Sequence, residues 1–257
     1  MNPIFTILEF GGVQRPIGNF GIMLAVAMLV AAVVATRAAS RGGIDSGSAI
    51  AAAGFTAAGA LFGASFLYHV VEFFRTGSVS GAFATQGIVF YGAPIGGALA
   101  LYFTAPRLGL PLGRFLDLAV PGIPMAHAMG RLGCFFGGCC FGRPYDGPFS
   151  VQYTHPLAPA AQESVFRHAV PLYESALLLM LAALLMFWPK RRVGSGEHVG
   201  VYLAVYAVIR ATTETFRGDG VRGVWFGVST SQWISIGMFL VGVWLLQRAR
   251  RPLPSPA

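Results

Sequence analysis

The distribution of charge along the chain constrains its fold more than any motif does. Of 28 charged residues, only five fall inside seven apolar stretches at 17–36, 48–71, 87–105, 115–136, 170–188, 200–216 and 228–247. The other 23 are crowded into the short segments between those stretches. A helix needs about 20 mostly apolar residues to cross roughly 30 Å of hydrocarbon. None of the stretches alternates with the period of two that a barrel strand shows. The pattern predicts an all-α integral membrane protein with seven transmembrane helices. Charged residues make up 11% of the chain, against roughly 25% in soluble domains, which excludes an ordinary soluble domain. Three cysteines among 257 residues cannot form a disulfide framework.

Loop charges set the expected orientation. Arg37, Arg41, Arg107, Arg114, Lys190, Arg191, Arg192, Arg248, Arg250 and Arg251 fall on one side, ten in all. The other side receives six: Arg15, Arg75, Arg143, Arg167, Arg217 and Arg222. The richer side belongs in the cytoplasm, so the N-terminus is expected outside and the C-terminus inside. The same rule accounts for the net charge of +8 without a nucleic-acid partner. The first stretch has no basic region before it and reads as a retained span rather than a signal peptide. The whole chain, 1–257, reads as a single membrane domain with no internal repeat.

The fourth stretch is expected to be broken. Pro121 and Pro124 each remove a backbone donor, and Gly130, Gly133, Gly137 and Gly138 follow. Irregular backbone at membrane depth is tolerated only where protein or a water-filled cavity covers it. The longest connection, 142–168, lies on the exterior side of this arrangement.

Charges within the spans are the best functional clue, because each costs at least ~2.5–3.5 kcal/mol at the bilayer centre and needs a partner or a use. Arg131 follows Gly130, and Tyr206, Arg210, Glu214 and Arg217 recur at spacings of four, four and three, which puts them on one helical face. An internal Arg210–Glu214 pair joining helices is one reading. The other is an oxyanion site, since guanidinium is planar, always ionised and suited to bidentate phosphate contacts. In a bilayer the abundant phosphates are lipid head groups, so binding, transport and catalysis on a phospholipid all stay open at this point. Asp117 is expected to pair with Arg114. His69, His155 and His168 read as polar interface residues, and Trp188, Trp225, Trp233 and Trp244 as interfacial anchors.

The run Gly130-Arg131-Leu132-Gly133-Cys134-Phe135-Phe136-Gly137-Gly138-Cys139-Cys140-Phe141-Gly142-Arg143 resembles the signature of the prolipoprotein diacylglyceryl transferase family, G-R-x-G-N-F-x-N-x-E-x-x-G-R. Pro171-Leu172-Tyr173-Glu174 is similar to the family's Q-L-Y-E element. The 206–217 stripe resembles its Y-x3-R-x3-E-x2-R pattern, and Asn2-Pro3-Ile4 and Phe20-Gly21-Ile22-Met23 also fit. Cys134 and Gly137 stand where the family has asparagines, Cys139 replaces an acidic residue, Tyr91 replaces a histidine and Phe20 a tyrosine.

The resemblance implies transfer of a diacylglyceryl group from phosphatidylglycerol to the lipobox cysteine of a prolipoprotein signal peptide, at the outer face of a bacterial inner membrane and among its lipids. It implies Arg131 and Arg210 on the lipid phosphate, with Tyr206, Glu214, Arg217 and Arg143 shaping the head-group pocket and Tyr173 and Glu174 supporting it. His127, four residues before Arg131, is the candidate thiol base, although a core histidine bonded to a carbonyl reads equally well. A paralogue performing another lipid or thiol transfer, and a non-catalytic phospholipid-binding or transport protein, are the alternatives. No cofactor is expected. Cys134, Cys139 and Cys140 lack the spacing of a zinc site, so no metal is expected; buried inert thiols are the first reading, a Cys134–Cys139 disulfide or a reactive thiol the others.

Overall fold

The structure is a computed structural model and describes residues 3–10, 13–77, 92–189, 192–219 and 223–250. An antiparallel pair, β1 (Ile4–Phe10) and β2 (Val13–Gly18), leads into α1 (Asn19–Arg41) and α2 (Ser46–Thr76). Then come α3 (Gly92–Thr104), α4 (Leu112–Ala119) and α5 (Gly122–Gly137). Beyond α5, β3 (Ser150–Val151) pairs with β4 (Arg167–His168). The chain continues through α6 (Val170–Phe187), α7 (Glu197–Thr215), the pair β5 (Val224–Trp225) and β6 (Val228–Ser229), and α8 (Thr230–Arg250). The all-α expectation therefore omits three short antiparallel pairs. Tyr91, Arg222, Arg251 and the 87–91 part of the third stretch lie outside the described residues.

Among the described residues, four helices are long and apolar enough to cross a membrane: Asn19–Arg41, Ser46–Phe74, Val170–Phe187 and Thr230–Arg250. Their outward faces carry large apolar side chains such as Leu29, Phe62, Phe66, Met180, Phe187 and Leu240, all exposed. A water-soluble surface rarely gathers so much contiguous apolar area, whereas lipid tails are a suitable solvent for it.

The break in the fourth stretch falls between Ala119 and Gly122, where α4 gives way to α5. Pro121 is the residue capping α5, and Pro124 sits in its first turn, where a backbone donor is not needed. Pro124 thus starts a helix rather than breaking one, a correction to the expectation. Asp117 is buried at 1% exposure. It accepts from Gly194 N at 2.8 Å, Gly196 N at 2.9 Å and Val199 N at 3.3 Å, so it ties α4 to the start of α7. Arg114, its expected partner, donates instead to the Gly42 carbonyl at 2.6 Å.

The closest helix approach is between α2 and α3. Gly59 and Gly63 face Gly92 and Gly96, and a Cβ on Gly96 would lie 2.2 Å from the Gly59 carbonyl oxygen. Small residues at four-residue spacing allow the backbones to meet, which is how helices pack where lipid removes the hydrophobic driving force. On the other side of the molecule, α5 packs on α6, α6 on α7 and α7 on α8. Leu178, Leu181, Leu185, Val201 and Ile209 fill the space between them.

Candidate active site

The buried charges converge in this second group of helices. His127 and Arg131 are one turn apart on α5, Glu174 lies in the first turns of α6, and α7 presents Tyr206, Arg210 and Glu214 at intervals of four. Glu174 is 0% exposed and sits at the centre. Its Oε1 lies 3.0 Å from Arg131 Nη2 and 3.9 Å from His127 Nε2, and its Oε2 is 4.0 Å from Arg210 Nη1. Arg210 Nη2 donates to Glu214 Oε2 at 2.6 Å and to Ser231 Oγ at 3.0 Å. The His127 ring meets the Tyr206 ring edge-on at 5.1 Å, and Tyr202 stacks on Tyr206 at 5.8 Å.

Two guanidiniums and two carboxylates lie buried against one another, and taking either partner away would strand a buried charge at a cost of several kcal/mol. Even so, the arginines keep spare donors. Arg131 Nε, Arg210 Nη1 and Arg217 Nη1 are buried and have no hydrogen-bond partner among the described residues. Unused charged donors on arginines held together by Glu174, as those of Arg131 and Arg210 are, suit a multivalent oxyanion.

A second group adjoins the first at the end of α7. Arg217 pairs with Asp219 through two contacts, 2.9 Å from Nε to Oδ1 and 2.7 Å from Nη2 to Oδ2. Burial opposes the Arg217 charge, but Asp219 and the Cys140 thiol outweigh it and raise the group's pKa, so it is a fixed cation. Arg143 is exposed and donates from Nε to the Arg217 carbonyl at 3.3 Å. Gly142 and Arg217 also form a bridge between the two chain segments. Arg131 and Arg210 stand against Glu174 and Glu214, Arg217 against Asp219, and Arg143 beside Arg217 adds one positive charge that these carboxylates do not match, as one phosphodiester would.

Of the residues expected from sequence, His127, Arg131, Glu174, Tyr206, Arg210 and Glu214 form one cluster, with Arg143 and Arg217 beside it. Tyr173 stands apart, its ring edge-on to His168 at 6.1 Å, where His168 also stacks on Tyr145 at 3.9 Å. The sequence reading did not anticipate Ser231 or Asp219. Ser231 comes from α8 and carries no local signal, whereas Asp219 lies two residues from Arg217 and was open to notice.

The cysteines also take an unanticipated arrangement. The helix α5 ends at Gly138, which adopts φ +67°, and Cys140 takes φ +59°, a left-handed conformation uncommon for a residue with a side chain. This turn brings the Sγ atoms of Cys134, Cys139 and Cys140 within 4.8 Å of one another, all as free thiols. The three thiols are half-buried and free, and the Cys134–Cys139 disulfide, one of the alternative readings, is not formed. Hydrogen bonds from the Cys134 and Cys139 thiols, aided by the Arg217 and Arg131 charges, push the Cys140 thiol down against the effect of burial. Cys139 is pushed up by hydrogen bonding to the same neighbours and by burial.

Comparison with known proteins shows which family the chain resembles. The family model described as "Prolipoprotein diacylglyceryl transferase" matches residues 7–248. A phosphatidylglycerol–prolipoprotein diacylglyceryl transferase of Clostridium tetani is 30% identical over 247 residues, 95% of this chain and 96% of its own length. A second, from Clostridium perfringens, is 26% identical over 88% of this chain and 89% of its own. A third, from Frankia alni, is 31% identical over 93% of this chain and 64% of its own.

Proposed function

The chain belongs to the prolipoprotein diacylglyceryl transferase family, and we infer that it moves the diacylglyceryl group of phosphatidylglycerol to a cysteine thiol of a prolipoprotein. The observation that carries this reading beyond family membership is the pair of unused donors on Arg131 and Arg210 around the buried Glu174. Arg131 and Arg210 would grip the lipid phosphate. Arg217 and Arg143 would meet the head group from the end of α7, with Tyr206 and Glu214 fixing the two central guanidiniums.

In the reaction, the substrate sulfur attacks the glyceryl carbon next to the phosphate ester. The C–S bond forms, the C–O bond breaks, and glycerol phosphate departs with the electron pair. Charge grows on the departing phosphate oxygen, and fixed donors in a dry site stabilise it at no reorganisation cost. A thiol of ordinary pKa ~8.5 must also lose its proton. His127, 3.9 Å from Glu174 Oε1 and beside Tyr206, is the proposed acceptor. Glu174 would orient Arg131. Tyr173 and His168 would support the head-group side of the pocket from outside the charged cluster.

The membrane arrangement belongs to the same proposal. Seven spans, the N-terminus out and the C-terminus in, form one domain that carries the 130–143 turn and the 142–168 loop on the outer face of a bacterial inner membrane. There the signal peptide would enter laterally with its lipobox cysteine beside the arginines. Rescue of a bacterium lacking its own transferase tests the function. Growth with diacylglyceryl-modified lipoproteins is expected, and accumulation of unmodified prolipoprotein at normal expression would contradict the reading.

A further inference from the structure

We propose that Cys134, Cys139 and Cys140 form a three-thiolate site for a thiophilic divalent ion, zinc above all, whose open fourth position takes the substrate thiol. The inference rests on the transferase reading for the identity of that thiol, but not for the metal site itself.

The geometry is the first argument. Three sulfurs on a tetrahedral zinc, with Zn–S of about 2.3 Å, sit about 3.8 Å apart. The three Sγ atoms already lie within 4.8 Å of one another, about 1 Å from the spacing such a site needs. The turn that gathers them is specified closely. A Cβ at Gly138 would come 2.4 Å from that of Ala158, and Cys140 is held at φ +59°. Strained backbone of this kind persists where the surroundings over-determine it, as they do at functional sites.

The surroundings are the second argument. Tyr153 is 2% exposed, packs its ring on Phe135 and Ala158 beside the thiols, and its hydroxyl has no hydrogen-bond partner among the described residues. Such an unsatisfied buried hydroxyl calls for a ligand or water at the cluster. Arg131 lies one turn before Cys134 on α5, and Arg217 stands against Cys140. Zinc with three thiolates carries one negative charge, and those guanidiniums offset it.

The chemistry is the third argument. Sites with three protein ligands and one open position are catalytic rather than structural. His127, Arg131 and Cys134 are spaced four and three apart, which puts them on one face of α5. A substrate thiol entering the fourth position ionises there; His127 lies two turns along the same face, about 10 Å away, so the proton reaches it through bound water. The resulting metal-bound thiolate attacks the glyceryl carbon, the C–O bond breaks, and glycerol phosphate leaves toward Arg131 and Arg210. The thioether product is a neutral, weaker ligand and departs. No oxidant or reductant takes part.

The test uses the full-length protein purified under reductant. Zinc bound after dialysis is counted per chain in the parent and in the Cys134→Ser, Cys139→Ser and Cys140→Ser variants, and cobalt is used as the spectroscopic probe. The proposal expects one ion per chain, thiolate-to-cobalt charge-transfer bands, and at least tenfold weaker metal binding in each variant. Retention of phosphatidylglycerol binding shows that a variant still folds. Transfer to a lipobox peptide should be at least tenfold faster with zinc than after chelation. Three freely alkylated thiols with no metal, a disulfide, a lipid adduct on any of the three, or equal rates with and without zinc would overturn it. Metal counting needs no substrate, so loss of the metal site and loss of the transferase reading are separately visible.

Discussion

Glu174 places one carboxylate oxygen 3.0 Å from Arg131 Nη2 and the other 4.0 Å from Arg210 Nη1, so a single buried residue on α6 links the arginines of α5 and α7. The relationship explains how two cations are held near each other away from water. It also makes Glu174 the residue on which the geometry of the whole cluster depends.

Replacing Glu174 with Gln should therefore destabilise the protein by about 3–5 kcal/mol, the usual consequence of stranding a buried charge by removing its partner. Unfolding in mixed micelles would measure it. Adding Arg131→Met to Glu174→Gln should recover much of the loss, because no charge is then left alone; strictly additive losses would show that the pair is not coupled.

Lys in place of Arg131 or Arg210 should fail nearly as badly as Ala. A point charge cannot reproduce the planar fork that grips two phosphate oxygens. Loss of one charged partner in a dry site costs about 1.5–3 kcal/mol, roughly tenfold to a hundredfold in affinity. Phosphatidylglycerol binding to Arg131→Ala at the parent level would remove Arg131 from the site.

Ser231→Ala is a subtler test. Its hydroxyl accepts from Arg210 Nη2 at 3.0 Å and is 2% exposed, so removing it should cost about 1.5–3 kcal/mol of stability. Arg210 would still be held by Glu214, and lipid binding should weaken less than it does in Arg210→Ala. Equal loss in the two variants would mean that Ser231 contacts the lipid directly.

Topology is open to direct measurement. A reporter fused after Arg251 should be active only in the cytoplasm, and one inserted near Pro156 only outside. The reverse pattern would put the arginine cluster's open end on the wrong side for a secreted substrate.

Helical periodicity made the α7 stripe legible in sequence, because Tyr206, Arg210 and Glu214 share a face whatever surrounds them. The family resemblance singled out Glu174, but no local pattern could reveal that it bridges two other helices. Asp117 illustrates the opposite error. The nearest arginine in sequence was the obvious partner, yet burial of Asp117 brought it to the unpaired backbone donors before α7, which need an acceptor more than Arg114 does. The thiol cluster was hidden for a related reason. Spacings of five and one match no ligand motif, and only the left-handed turn at Gly138 and Cys140 folds the three sulfurs together.

The central claim is that this arginine cluster carries out diacylglyceryl transfer rather than lipid binding alone. A single-turnover reaction between the purified protein, phosphatidylglycerol and a reduced lipobox peptide, followed by intact mass of the peptide, tests it most directly. A peptide heavier by one diacylglyceryl group on its cysteine is expected, with one equivalent of glycerol phosphate released and neither product formed by Arg131→Ala. Phosphatidylglycerol that binds tightly while the peptide mass stays unchanged would contradict it.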